Sequence, residues 1–158
     1  MPPATSSPSS SSRTPSGSSP SASPATSSRP LPGVSQWAVG GHSLGGVAAS
    51  VYASQDSRAR GLLFWASYPL SSLAARTDLV VASVSGTKDG LSTPPDIAAS
   101  RDLPPATTFT AIEGVVHAYF GDYGPQSGDG TPTIDRATAQ AQNVTATARF
   151  MQAMAETG

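Results

Sequence analysis

The chain has no cysteine, which excludes disulfides and thiolate metal sites and says nothing of compartment. Charge is sparse and scattered: nine Lys and Arg stand against ten Asp and Glu, for a net of −1. No basic stripe or block marks a nucleic-acid footprint or an anionic-membrane patch, so no nucleic-acid partner is expected. No apolar run is long enough to span a bilayer, and the opening residues lack the apolar core of a secretory signal peptide. The expected setting for the chain as given is therefore cytoplasmic, although an intact gene product could be exported. Histidine is scarce too. There are two, so a search for a general base reduces to His42 and His117.

What is present divides unevenly along the chain. From Met1 to about Pro32 the residues are serine, proline, alanine and threonine with two arginines and almost nothing large and apolar. Such a segment cannot bury enough surface to offset the entropy of ordering it. Residues 1–33 are therefore expected to be disordered, with polyproline II character. Residues 34–158 form the folded part, of ordinary domain size.

The most informative feature of that part is Gly41-His42-Ser43-Leu44-Gly45. This Gly-x-Ser-x-Gly pentapeptide closes the apolar run Gln36–Gly40 and opens the small-residue helix Val47–Ala53. Strand, elbow and helix in that order hold a serine at a strained backbone angle with its oxygen pushed out above the sheet. Glycines two residues to either side are expected to be required, because side chains there would collide with the neighbouring strand and helix. The pentapeptide alone recurs by chance; flanked in this way it points to an activated serine.

A serine hydroxyl is a poor nucleophile near neutral pH and needs a base within hydrogen-bond reach. His42 sits beside Ser43, and its side chain should leave the turn in another direction, as a packing or hydrogen-bonding residue beneath it. That leaves His117, just past the strand-like run Thr107–Ile112, where a base belongs when the order is Ser, acid, His. The acid should lie between them at a strand end. The run Leu79–Ser85 reads as a buried parallel strand leading into Gly86-Thr87-Lys88-Asp89-Gly90, which puts Asp89 at its carboxyl end. The alternative for Asp89 is a plain Asp-Gly turn. Asp56 and Asp78 lie on the far side of helix or strand, and Asp96 starts a helix, so Asp89 is the chosen acid.

Beyond the elbow the pattern alternates. Strands are expected at Gln36–Val39, Gly61–Ala66, Leu79–Ser85 and Thr107–Ile112. Helices are expected at Leu44–Gln55, from about Pro94 to Ser100, since proline suits a first helical turn, and from about Ile134 to Ala155. In the last helix the alanines, Val144, Phe150, Met151 and Met154 are spaced to form an inward face. A loop with Tyr68-Pro69 follows the second strand, and Gly121–Gly130 is irregular. Strands separated by helical segments argue an α/β fold with a parallel sheet of about four strands and flanking helices.

Several stretches in order resemble the α/β-hydrolase superfamily, in particular its fold-5 family. They are Gly40–Gly46, Gly61–Pro69, Gly86–Gly90, His117–Gln126 and Gly128–Gly130. The resemblance implies Ser43 as nucleophile, His117 as base and Asp89 as acid, in agreement with the elimination above. It departs at Val116 and Tyr119, where such proteins more often read Asn-His-Ala-Gln-Phe. As a member of that superfamily the chain would carry only the fifth to eighth strands of the usual sheet. The oxyanion hole would use the Leu44 amide and lack a visible source for its second donor, normally the loop after the third strand. The elbow strand would also be an open edge, available for homo-oligomer formation.

Three explanations of that half-sheet stand: a truncated or frame-shifted gene whose leader is an out-of-frame reading, a minimal protein that dimerises through its edge, or a non-catalytic remnant. As an enzyme the chain would be a serine hydrolase acting on a small-molecule carboxylic ester or related acyl substrate, with no metal or organic cofactor. An acyltransferase would show the same triad, and a remnant would act as a binding or interaction module. The connection from Tyr68 to about Thr77 is too short for a lid, which favours a small or soluble ester. The Tyr119–Tyr123 stretch, with Gln126 and Asp129, either lines the site mouth or buttresses His117.

Overall fold

The computed structural model describes residues 33–100 and 102–157. The disordered segment expected over residues 1–33 thus lies, save for Gly33, outside the described residues. Four strands, β1 (Trp37–His42), β2 (Ala59–Trp65), β3 (Val80–Gly86) and β4 (Thr108–Ile112), form one parallel sheet in the order β1-β2-β3-β4. Between them run helices α1 (Leu44–Gln55) and α2 (Pro94–Ala99), and α3 (Arg136–Glu156) closes the domain.

The core forms because β2 and β3 are apolar on both faces, as buried parallel strands must be. On one face Leu62, Phe64 and Val81 pack with Ala49 and Ala53 of α1, and with Leu73 from the β2–β3 connection. On the other face Leu63, Val84 and Ile112 pack with Phe150 and Met154 of α3. Each such Leu or Phe stabilises the fold by about 1.5–3 kcal/mol on burial. Small residues Gly46, Ala49, Ser50 and Ala53 form the buried side of α1. The β2–β3 connection has no helix. It is held instead by Leu73, 2% exposed, and by Arg76, which donates to the carbonyls of Ala53 and Ala59 and pairs with Asp78.

Helix α2 starts as its sequence suggests. Thr93 Oγ1 accepts the Asp96 amide, the Asp96 carboxylate accepts the Thr93 amide at 3.1 Å, and Pro94 opens the first turn. Helix α3 departs from expectation in its face. Its buried residues are Ala139, Asn143, Ala146, Phe150 and Met154, while Val144 and Met151 are 67% and 53% exposed. The inward stripe steps by three and four residues through a polar Asn143, and apolarity alone misassigned its neighbour. Strand β1 also runs further than Gln36–Val39: Gly40 and Gly41 continue the pairing with Leu63 and Phe64 of β2, although glycine supplies no apolar signal of its own. Among the described residues β1 pairs on one side only. No helix among them is long and apolar enough to cross a membrane.

Candidate active site

Ser43 lies between β1 and α1 with φ 52° and ψ −124°, a left-handed conformation that a non-glycine residue holds only when its surroundings enforce it. Three contacts enforce it. The Ser43 amide donates to the Trp65 carbonyl at 3.0 Å, and the Ser43 carbonyl accepts the Gly46 amide at 2.9 Å and the Ser67 hydroxyl at 2.7 Å. The turn is tight enough that a Cβ on Gly41 would stand 2.4 Å from the Gly45 carbonyl carbon, and one on Gly46 would stand 2.6 Å from the Ser67 side chain. A Cβ on Gly45 meets nothing within 4 Å. The expectation of two required flanking glycines is corrected: the pair that closes the turn is Gly41 and Gly46, because Gly45 points away from both strand and helix partner. The Ser43 hydroxyl does not cap α1. Leu44, the first residue of α1, leaves its amide without an intrahelical acceptor.

Asp89 follows β3. Its carboxylate is oriented on both oxygens: Oδ1 accepts the Leu91 and Ser92 amides at 2.8 and 2.7 Å, and Oδ2 lies 2.9 Å from His117 Nδ1. Both residues are buried, at 4% and 2% exposed. With the Asp89 carboxylate as acceptor, Nδ1 is the donor of this bond, which leaves Nε2 as the ring nitrogen free of Asp89. His117 opens a four-residue 3-10 helix, His117–Phe120, where the sequence suggested plain loop. The structure thus brings Asp89 and His117 into direct contact. It links Ser43 to them through His42, whose ring packs against that of His117 at 4.4 Å between centroids. No hydrogen bond joins Ser43 Oγ to His117 among the described residues.

His42 therefore does not turn away from the site. Its ring also contacts Tyr123 at 5.3 Å and Phe120 at 6.2 Å, and its Nε2 is buried with no hydrogen-bond partner. Burial, and next the charge His117 would carry, push the His42 pKa down, against smaller opposing pulls from Asp89, the His117 backbone and Asp129. Burial thus disfavours the charged form of the ring, which forms one wall of the site. Beside it an open, largely apolar cavity of about 490 Å³ is walled by His42, Leu63, Trp65, Phe120 and Tyr123.

The rejected carboxylates are occupied elsewhere. Asp56 pairs with Arg58, whose hydrogen bonds hold its carboxyl well below the usual range. Asp78 pairs with Arg60 and Arg76 at the opposite end of the strands, where the Arg76 hydrogen bond leads in holding it at about 2.

Two residues of the site neighbourhood went unread or half-read in the sequence. Asp129 accepts four backbone amides: Gly90, His117 and Gly130 on Oδ1, and Ala118 on Oδ2. Arg136, the first residue of α3, donates to the carbonyls of Ala118, Gly121 and Tyr123 and lies 4.5 Å from the Tyr119 ring centroid. Asp129 was read in the sequence only as part of a stretch that lines the site mouth or buttresses His117, and Arg136 was not read at all. The Tyr119–Asp129 stretch buttresses the His117 turn through Asp129, and Tyr123 reaches the cavity wall.

A family model described as alpha/beta hydrolase family matches residues 22–142. No curated protein matches the chain.

Proposed function

Because the chain belongs to the alpha/beta hydrolase family, we propose that it is a serine hydrolase acting on a carboxylic ester or related acyl substrate. In this reading Ser43 is the nucleophile, His117 the base and Asp89 the acid. His117 Nε2 takes the Ser43 hydroxyl proton as the oxygen attacks the acyl carbon. The imidazolium that forms is stabilised by Asp89, which does not itself take the proton. The Leu44 amide donates to the developing oxyanion. Collapse expels the alcohol, which receives the proton from His117. Water, deprotonated by the same nitrogen, then releases the carboxylic acid and restores Ser43. The single observation that carries the reading is the 2.9 Å bond between two buried side chains, Asp89 and His117; the positive φ of Ser43 in its elbow supports it.

A second reading, a non-catalytic binding module, is favoured by the unpaired edge of β1 among the described residues. Within the first reading, residues 34–158 are the later portion of a hydrolase domain, and copies associate through that edge. A fluorophosphonate probe decides between enzyme and module. Labelling of the full chain that vanishes in Ser43→Ala is the expected result; a folded chain that never labels sinks the catalytic reading. An acyltransferase would label equally, and partition of the acyl group between water and an added alcohol separates the two.

A further inference from the structure

The turn that carries His117 and the turn that carries Asp89 come from different strands, and one carboxylate touches both. Asp129 Oδ1 accepts the Gly90 amide at 3.2 Å, directly after Asp89, and the His117 amide at 3.0 Å. Its Oδ2 accepts the Ala118 amide at 2.9 Å. The Asp89 turn and the segment that carries Asp129 are pressed together at this point: a Cβ on Gly90 would stand 2.4 Å from the Gly128 carbonyl oxygen. From the other side Arg136 holds the carbonyls of Ala118, Gly121 and Tyr123. The 3-10 turn of His117 is therefore gripped at its amides by a fixed negative charge and at its carbonyls by a fixed positive one. Hydrogen bonds to ionised groups are about twice as strong as neutral ones, so this arrangement stiffens the backbone from which the base projects.

We infer that Asp129 is a positioning residue, which sets the register of the His117 loop against the Asp89 loop and so the geometry of the bond between their side chains. The inference rests on the reading of Asp89 and His117 as acid and base. Asp129 touches neither imidazole nor reacting atoms; it acts through the amides. Its effect therefore falls on turnover and on the Asp89–His117 bond rather than on substrate affinity. A displacement of about 1 Å in a reacting group costs on the order of a hundredfold in rate.

The test is Asp129→Asn in the full chain, which keeps the shape, removes the charge and turns an amide donor toward one or more of the amide donors. Two readouts are taken: hydrolysis of p-nitrophenyl acetate, and the low-field proton resonance of His117 Nδ1–H. The expected result is a kcat lower by roughly 10- to 100-fold with KM moved less than about threefold, and a shifted or broadened low-field resonance. Turnover within about twofold of the parent with an unchanged resonance overturns the inference, as does a variant that melts earlier while its resonance stays put. If the parent chain neither labels nor turns over, the hydrolase reading fails while the resonance still decides the role of Asp129. A parent chain without the resonance has no bond to position and ends the inference. Should the Asn variant not fold, Asp129→Glu keeps the charge, displaces it by one methylene and is read by the same two signals.

Discussion

At the scale of single residues, the electrostatics of the site turn on a histidine that the proposed mechanism does not use. His42 is buried against His117 with its Nε2 unpartnered, and its pKa lies below 6.5 chiefly through burial. The unfolded chain takes up the His42 proton near 6.5, and the folded chain does so only at lower pH. Stability is therefore untouched above 6.5 and falls as pH drops from there toward the folded value. His42→Phe keeps a ring against His117, Phe120 and Tyr123 and removes the proton uptake. Denaturant unfolding of that variant from pH 7 to 5 is expected to give a flatter stability profile than the parent; parallel profiles would contradict the burial argument. The groups that face His42, namely His117, Asp89 and Asp129, are all kept in the variant.

At the scale of elements, the elbow separates its glycines by consequence. Gly41→Ala places a methyl 2.4 Å from backbone that cannot move aside, and is expected to destabilise the fold by about 1–3 kcal/mol or more, on the order of an overpacked core position. Gly45→Ala meets open space in the first turn of α1, and is expected to be neutral or to stabilise by up to about 1 kcal/mol through helix propensity. Thermal denaturation of the two variants side by side checks the contrast, and equal losses would refute it. Much of this was legible in the sequence. Asp89 and His117, which the structure brings into contact, were picked out as residues just past recognisable strands, and the carboxyl ends of strands in a parallel sheet are places of known orientation. Helix α1 was read to its correct bounds because the elbow marks its start. The parts that escaped, Arg136 and the particular contacts that Asp129 makes, share a physical cause. Asp129 and Arg136 bind the amides and carbonyls of an irregular loop, and every residue has an amide and a carbonyl, so no side-chain pattern announces such contacts. The stripe of α3 was misread at Val144 for the opposite reason: apolarity spoke where geometry decided, and the buried position belongs to Asn143.

At the scale of the whole molecule, β1 and β4 are the two edges of the described sheet, each paired with a strand on one side only. Natural edges are usually blunted by charge or proline, and β1, Trp-Ala-Val-Gly-Gly-His, has neither. Sedimentation of the full chain is expected to show a dimer at micromolar concentration, with Ala38→Lys, an exposed position on β1, shifting it to monomer; a parent chain monomeric throughout would remove self-association from the proposal. The strand order carries one more consequence. Each strand pairs with the next in the chain, so the sheet can be laid down in the order of synthesis, with no early strand waiting for a distant one. The serine turn emerges first and the His117 turn last but for α3, whose opening arginine grips that turn. On the proposed mechanism, a nascent chain on the ribosome thus presents Ser43 long before His117, and the His117 turn gains its Arg136 contacts only when the final helix docks.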